Sequence, residues 1–186
     1  MQHLGTQTIE TGRLILRRFT MNDAKAMYEN WASDPDVVKY ITKPRHKSIE
    51  ESQAILADWT GQYNNKDFYL WAIVLRESGE EPIGFTLVVH HDDSVEKVEV
   101  GYCIGKRWWN QGIASETLKA VIDYLFSEVK VNRIEALFDP RNSNSGKVMK
   151  RCGMVYEGTH RESGRNNLGR CDNVTYAILA RDYKPM

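Results

Sequence analysis

The residues best placed to do chemistry lie where a β-rich run passes through a tight turn into a helical pattern. Residues 99–104 form that run, and Gly112, Ala114 and Ser115 follow at the start of apolar residues with helical spacing. Such a helix start presents unpaired backbone N–H groups and the positive end of the helix dipole, so it can hold a pyrophosphate. The same spacing also fits a turn that Gly112 merely permits, with Ala114 packing the helix on a sheet. Both interpretations stay open on spacing alone.

Two better-known phosphate-binding loops do not fit this segment. A P-loop requires G-x-x-x-x-G-K followed by Ser or Thr, whereas Gly101 and Gly105 are too close together and Arg107 follows Lys106. A dinucleotide-binding fingerprint requires G-x-G-x-x-G, and the sequence contains no G-x-G. We therefore expect neither a nucleoside triphosphatase nor a hydride-transfer enzyme of the simplest kind.

Neither the cysteines nor a histidine-rich run predicts a metal or a covalent nucleophile. Cys103, Cys152 and Cys171 are odd in number and far apart, so we interpret each as a small buried apolar side chain. A catalytic cysteine would also need a general base, which no local signature supplies. Residues 90–93, His-His-Asp-Asp, resemble a metal cluster, but they fall at a predicted hairpin turn where adjacent strand residues point to opposite faces. We expect no metal.

Composition favours one globular domain over residues 1–186. Hydrophobic residues make up 41% and charged residues 27% of the 186 residues, which is enough to bury one core. The 25 basic and 25 acidic residues leave no net positive field that would collect nucleic acid or anionic lipid. No apolar run approaches the roughly 20 residues of a membrane helix, and residues 1–7 lack the apolar stretch of a secretory signal. We expect a soluble cytoplasmic protein, either a monomer or a homodimer.

The periodicity of apolar residues predicts an α/β fold. After a loose start, we expect a strand at 14–19, helices at about 23–32, 37–41 and 48–63, and strands at 69–75, 83–90 and 95–104. A helix from 113, a strand at 133–138, a helix at 142–152 and strands at 154–161 and 171–180 follow, the last two flanking a polar, glycine-bearing stretch at 162–170. This order predicts a mixed sheet covered by helices.

Several conspicuous side chains have simple structural interpretations. Trp31, Trp59 and Trp71 stand at periodic positions and are expected in the core. Residues 45–47, Arg-His-Lys, lie between two predicted helices, and we interpret them as a solvated loop, the alternative being contact with an acidic group on a substrate.

Residues 108–116, Trp-Trp-Asn-Gln-Gly-Ile-Ala-Ser-Glu, resemble the acetyl-CoA pyrophosphate loop of GNAT acetyltransferases, whose motif is Q/R-x-x-G-x-G/A. Gly112 and Ala114 match the second half of that motif. Trp109 stands where the family carries Gln or Arg, and Asn110 stands where glycine is frequent. The aromatic pair formed by Trp108 and Trp109 is typical of one branch, the ribosomal-protein serine/alanine N-terminal acetyltransferases and their relatives.

Other segments resemble the same branch in the right order. They are residues 11–17 at the first strand, 82–84 at a later strand entry, 99–102 in the central strand, and 142–154, which resemble N-x-x-S-x-x-V-x-x-K-x-G-F. The resemblance covers about Thr11 to Tyr183. It implies the GNAT-like acyl-CoA N-acyltransferase fold, a central, mixed and mostly antiparallel twisted sheet flanked by helices, with acetyl-CoA as co-substrate.

The resemblance also implies a role for each site residue. Glu99 would draw the proton from the amine through a water molecule, and Ser145 would stabilise the leaving thiolate. The remaining matched residues would bind the cofactor: Val100, Gly101, Tyr102, Cys103, Ile104, Trp109, Asn110, Gln111, Gly112, Ile113, Ala114, Ser115 and Asn142. From residue type alone, Glu99 is equally an exposed strand carboxylate, and Asn142 and Ser145 are equally helix N-caps. Tyr156 is the remaining candidate for the tyrosine that usually serves the family as proton donor.

Acetyl transfer to an amine requires a base for the amine, donors for the tetrahedral oxyanion and a proton for the leaving thiolate. An α-amino group, with a pKa near ~8, asks less of the base than a lysine amine near ~10.4. The resemblance implies an N-acetyltransferase that works by direct attack in a ternary complex, and its branch implies a protein N-terminus as acceptor. A small-molecule amine such as a polyamine or an antibiotic remains a second possible acceptor. A catalytically silent acyl-CoA-binding sensor remains an alternative from another class.

Overall fold

The chain folds around one eight-stranded sheet, which a computed structural model describes for residues 1–77 and 79–185. The strands are β1 (Ile9–Glu10), β2 (Leu14–Arg17), β3 (Leu70–Leu75), β4 (Pro82–Asp92), β5 (Lys97–Ile104), β6 (Arg133–Phe138), β7 (Val155–Asn166) and β8 (Gly169–Leu179). The α-helices are α1 (Ala24–Met27), α2 (Pro35–Val38), α3 (Ile49–Gln62), α4 (Ile113–Tyr124) and α5 (Ser143–Arg151). A π-helical turn extends α1 to Ala32 and another extends α4 to Val129.

The strand order is β1-β2-β3-β4-β5-β6-β8-β7. Every neighbouring pair is antiparallel except β5 and β6, which are parallel and are joined through α4. A parallel pair needs a long crossover connection, and here a helix supplies it. The predicted mixed, mostly antiparallel sheet is confirmed.

β3 is apolar at every position, so both of its faces must be buried. Helices cover both faces of the sheet there. Trp71 and Ile73 belong to the core under α4 and α5, whereas Leu70 and Ala72 belong to the core under α1 and α3. This division follows from the alternation of side chains along a strand. Trp31 is also fully buried, so the predicted core positions of Trp31 and Trp71 are confirmed, whereas Trp59 is only partly buried and packs against the core under α1 and α3.

The N-terminal segment is ordered, contrary to the expected loose start. The Thr6 hydroxyl donates to the Phe68 carbonyl and accepts from the Leu70 N–H, and Thr6 itself is 1% exposed. The Trp71 indole donates to the Gln7 carbonyl at 2.6 Å. These bonds seat the segment beside β3, and they were missed because they join residues more than 60 positions apart in sequence.

The polar stretch 162–170 is not a loop. β7 and β8 continue through it as one long hairpin, and Asn166 pairs with Gly169 across a two-residue turn. The polarity that suggested a loop reflects solvent exposure, since most of β7 is exposed.

His46 does not lie in a solvated loop, contrary to the expectation. It is buried, its Nδ1 lies 2.8 Å from the Ser52 hydroxyl, and burial lowers the pKa of its imidazole. All three cysteines are free and buried, as predicted. Within the described residues, no helix is both long and apolar enough to cross a membrane.

The close approach of β4 and β5 at Gly84 gives a test of the fold. A Cβ atom at Gly84 would lie 2.2 Å from the Cys103 carbonyl oxygen, whereas a Cβ at Gly158 in β7 would meet nothing within 4 Å. We expect Gly84→Ala to lower the free energy of unfolding by ~1–3 kcal/mol, the usual cost of overpacking. Gly158→Ala, the matched control, should leave it nearly unchanged in urea unfolding. Equal effects would show that β4 and β5 relax without cost.

Candidate functional site

The site is built around a gap between β5 and β6. The two strands pair only from Lys97–Arg133 to Glu99–Glu135, and beyond that point β5 continues its pairing with β4 alone. The backbone of β5 after Glu99 therefore faces an open space on its β6 side. Val100 to Ile104, the residues expected to bind a cofactor through backbone groups, all lie along this edge.

A β-bulge lies beside the point where the strands part. The register of β4 against β5 shifts between Val88 and His90, so Val100 pairs with Val88 while Glu99 pairs with His90. Bulges bend a strand and increase its twist, and they often stand next to active sites. The extra residue is Val89 of β4, opposite the point where β5 leaves β6.

Glu99 stands at the vertex of the gap with its carboxylate half-buried. Burial and the neighbouring Glu135 carboxylate raise its pKa above the ordinary value of 4.5, against smaller opposing effects of His90 and Lys97. Glu135 itself lies 3.0 Å from both the Lys97 ammonium and the Arg133 guanidinium. The raised pKa lets Glu99 take up a proton more readily than an ordinary glutamate, which suits a general base.

The start of α4 has the conformation that the glycine pattern predicts. Gly112 is the N-cap with a φ of 78°, in the left-handed region that favours glycine, and Asn110 has a φ of 61°. The first helical bond runs from the Glu116 N–H to the Gly112 carbonyl. The N–H groups of Ile113, Ala114 and Ser115 precede that bond and have no partner within the helix, so they can bind an anion.

Residues of the turn between β1 and β2 hold the loop before α4 and the first turn of that helix. The Arg13 guanidinium donates to the Gln111 carbonyl at 3.0 Å and to the Glu116 carboxylate at 2.7 Å, and the Thr11 hydroxyl also donates to Glu116. On the other side, the Trp109 indole donates to the Ile104 carbonyl at 2.7 Å. The loop is therefore tied both to the turn between β1 and β2 and to the end of β5.

Trp108 and Trp109 differ in their surroundings. Trp109 is 39% exposed beside the loop. Trp108 packs over Gly105, where a Cβ atom would lie 2.8 Å from the indole ring. Cys103 contributes only backbone to the gap, since its thiol lies in the core under α1 and α3, where burial raises its pKa to about 12.

Asn142 and Ser145 meet at the start of α5, on the β6 side of the gap. The Asn142 amide donates to the Ser145 hydroxyl oxygen at 3.1 Å, and the Tyr102 hydroxyl of β5 donates to the Ser145 carbonyl at 3.1 Å. Burial raises the pKa of Tyr102, so its phenol stays neutral. Tyr102 thereby links the two sides of the gap. In the described residues no hydrogen bond joins Glu99 to Ser145.

Tyr156 stands apart from these residues. It is 54% exposed on β7, and its hydroxyl lies 3.1 Å from the hydroxyl of Thr159.

The sequence did not reveal a hydrogen-bond network at the end of β6, which joins this strand to the β7–β8 hairpin. Asp139, directly after β6, is 4% exposed and accepts from the Arg141 guanidinium and the Asn166 amide. The pKa of the Asp139 carboxyl is lowered to about 2, and the hydrogen bond from the Arg141 guanidinium is the main cause. Tyr40, after α2, donates to the Arg141 carbonyl at 3.2 Å. Asp139 and Asn166 are ordinary polar residues in the sequence, so only the fold brings them together.

The tip of the β7–β8 hairpin reaches the same region. The Asn167 amide donates to the carbonyls of Val38, Ile41 and Lys43 at 2.8–3.2 Å. A cavity of about 610 Å³ opens next to it, lined by Thr42 and the hairpin tip. Along the same hairpin, a second cavity of about 460 Å³ is lined by the polar side chains of β6, β7 and β8, including Glu135 and Glu157. The hairpin thus borders a polar groove that reaches the neighbour of Glu99.

Residues 13–155 match the family described as the acetyltransferase (GNAT) domain. This match includes β5, β6, α4 and α5, the elements that border the gap.

Two curated bacterial proteins are similar over nearly their whole length. The uncharacterized N-acetyltransferase YnaD of Bacillus subtilis is 31% identical over 175 residues, covering 94% of this chain and 98% of that protein. The ribosomal protein uS5-alanine N-acetyltransferase of Escherichia coli is 25% identical, covering 95% of this chain and 93% of that protein.

Solved structures agree with these relatives. A GNAT-family acetyltransferase from Bacillus anthracis aligns with a TM-score of 0.81 at 27% identity, covering 94% of this chain and 99% of that one. RimL, a ribosomal α-N-protein acetyltransferase in complex with coenzyme A, aligns with a TM-score of 0.82 at 18% identity, covering 93% and 98% of the two chains, which shows likeness of fold alone. The family match and the full-length relatives together show that the chain belongs to the GNAT family of acetyl-CoA-dependent N-acetyltransferases.

Proposed function

We propose that this enzyme transfers the acetyl group of acetyl-CoA to the α-amino group of a protein N-terminus, by direct attack in a ternary complex. The observation that carries the proposal is the position of Glu99, whose carboxylate with its raised pKa stands where β5 and β6 part. The ribosomal-protein acetyltransferases among the relatives support the choice of acceptor.

The cofactor would lie along the gap with its pyrophosphate at the start of α4. The N–H groups of residues 113–115 and the positive end of the helix dipole stabilise the negative charge there. Gly112 leaves room for the phosphates, and Arg13 holds the loop in place through Gln111 and Glu116. The pantetheine arm would bind the free edge of β5 from Val100 onwards. RimL, which shares the fold, was solved with coenzyme A.

The chemistry would proceed by attack of the neutral amine on the thioester carbonyl. Glu99 accepts the amine proton through a water molecule, and the free N–H groups of β5 stabilise the oxyanion as the C–N bond forms. The C–S bond then breaks, and the thiolate takes up, through solvent, the proton that Glu99 accepted from the amine, which returns Glu99 to its ionised form. Because the Asn142 amide donates to the Ser145 oxygen, the Ser145 O–H is free to donate to that thiolate.

The acceptor would enter from the face that the β7–β8 hairpin borders. Glu135 and Glu157 line the groove there together with Arg133, whose guanidinium pairs with both carboxylates, so the path is polar and its charges are balanced. Asn167 holds the segment after α2 against the hairpin tip, so both sides of the entrance are positioned by one side chain. An α-amino group suits this site because its lower pKa leaves less work for one carboxylate.

Gly112 tests the cofactor site. Asp and Asn have similar size and tolerate the left-handed conformation better than most residues, so the backbone cost is similar for both replacements. We expect Gly112→Asp to weaken acetyl-CoA binding at least about tenfold more than Gly112→Asn, a difference of about 1.4 kcal/mol, because the carboxylate repels the pyrophosphate. Calorimetric titration with acetyl-CoA measures this difference. Equal affinities would show that no pyrophosphate is bound at the start of α4.

Glu99 tests the proposed base. A base must be deprotonated, so turnover should fall as the pH falls through the raised pKa of Glu99. Glu99→Gln should lower kcat about ten- to a thousandfold and remove this acidic limb, with little change in acetyl-CoA affinity. The measurement is the pH profile of kcat with a peptide acceptor. An unchanged profile would assign the proton to another group.

Two further readouts keep this test specific. Glu135→Gln removes the like charge beside Glu99, so the acidic limb should move to lower pH while the activity persists.

Glu99→Gln should also raise the free energy of unfolding at neutral pH. The sign follows because a carboxyl with a raised pKa in the folded state destabilises that state wherever the unfolded chain would ionise it.

The acceptor is tested with matched peptides. One peptide carries a free α-amine, a second has the same sequence with a blocked α-amine and a free lysine, and a polyamine forms the third arm. We expect the highest kcat/KM for the free α-amine, measured by mass of product and release of CoA thiol. Reaction of the polyamine alone would indicate a small-molecule acetyltransferase. Binding of acetyl-CoA without CoA release from any amine would indicate a sensor.

A further inference from the structure

A group of three metal-binding side chains lies away from the proposed active site. His3, from the N-terminal segment, meets His91 and Asp93 at the turn between β4 and β5. One ligand atom from each of them lies within 4.8 Å of the others. His3 and Asp93 are 90 residues apart in sequence. The expectation of no metal considered only the run at residues 90–93, which lacks His3.

The distances within this group suit a small divalent cation. The Asp93 Oδ1 lies 3.1 Å from the His3 Nε2 and 2.9 Å from the His91 Nδ1. Two ligands of a tetrahedral zinc ion, each bound at about 2.0–2.1 Å, are about 3.3 Å apart. Two edges of such a tetrahedron are therefore nearly in place. The two rings meet edge to face with centroids 4.8 Å apart, which places both imidazoles beside the same carboxylate.

The far nitrogen of each ring also faces an oxygen. The His3 Nδ1 lies 3.2 Å from the Tyr69 hydroxyl, and the His91 Nε2 lies 3.8 Å from an Asp67 carboxylate oxygen. Metal-binding histidines commonly direct their second ring nitrogen to a carboxylate, carbonyl or water oxygen, which orients the ring and selects its tautomer. The His3 ring has that second contact within hydrogen-bond distance, and the His91 ring has a carboxylate 3.8 Å from its second nitrogen.

We propose that His3, His91 and Asp93 form a binding site for a divalent transition-metal ion, with zinc as the best fit. Two imidazoles and one carboxylate match zinc, which leaves a fourth position for water. The bound ion would pin the N-terminal segment to the β4–β5 turn. Neighbouring His90 stands outside the group and pairs with Glu99 instead.

The other cysteines and histidines of the described chain form no second cluster of this kind. All three cysteines are buried, His46 is buried against Ser52, and His90 and His160 belong to no group of three possible ligands. Zinc added to the folded protein therefore encounters the His3 group as its only described cluster of this kind.

Titration of the untagged protein with zinc chloride tests the site. We expect one zinc ion per chain, with an affinity that falls at least about tenfold in His3→Ala, in His91→Ala and in Asp93→Asn. His90→Ala, the matched control on the same turn, should bind zinc as the wild type does. Zinc should raise the Tm of the wild type and of His90→Ala but not of the three ligand variants, because an ion bound only to the folded state stabilises it. Circular dichroism confirms that each variant is folded.

Two outcomes would overturn the proposal. Absence of zinc binding by the wild type would remove the site. An equal loss of affinity in His90→Ala and His91→Ala would show adventitious binding by exposed histidines. Neither outcome bears on the acetyltransferase proposal, since no ligand of this group belongs to the gap between β5 and β6.

Discussion

The gap between β5 and β6 depends on where their parallel pairing stops. Unpaired backbone groups are costly, so strands normally separate only where another partner satisfies them. Here β4 continues to pair with β5 as far as Ile104, and β8 pairs with all of β6. Each strand keeps one complete partner, which lets the two part after Glu99 without unravelling the sheet. The groups left free along β5 are then available to a bound molecule.

The two sides of this gap are held by separate sets of contacts. On the β5 side, Trp109 ties the loop before α4 to the end of the strand. On the β6 side, Asp139 and Arg141 tie the start of α5 to the β7–β8 hairpin. Tyr102 joins the two sets through its bond to Ser145. The two sides of the gap are thus held by elements far apart in the sequence.

The spacing of apolar residues and the local motifs predicted those helices, strands and turns that depend on residues close together in the sequence. The strands of the central meander, α3, α4 and β6 follow from apolar spacing, and the left-handed Gly112 follows from the turn that a helix start requires there. The contacts of Asn167 and His3 could not be predicted, because each depends on a partner that only the folded sheet brings near. The hairpin at 162–170 was mistaken for a loop because an exposed strand has the composition of one.

The pairing of Glu99 with Glu135 explains how one strand position acquires a base. Two carboxylates side by side on parallel strands disfavour double ionisation, and the outcome depends on which of them has cationic partners. Lys97 and Arg133 both lie 3.0 Å from Glu135. Burial disfavours Glu99 as an anion, and the charge of Glu135 adds to this effect. A carboxylate whose pKa is raised in this way takes a proton more readily, so the like-charged pair opposes folding and favours removal of the amine proton.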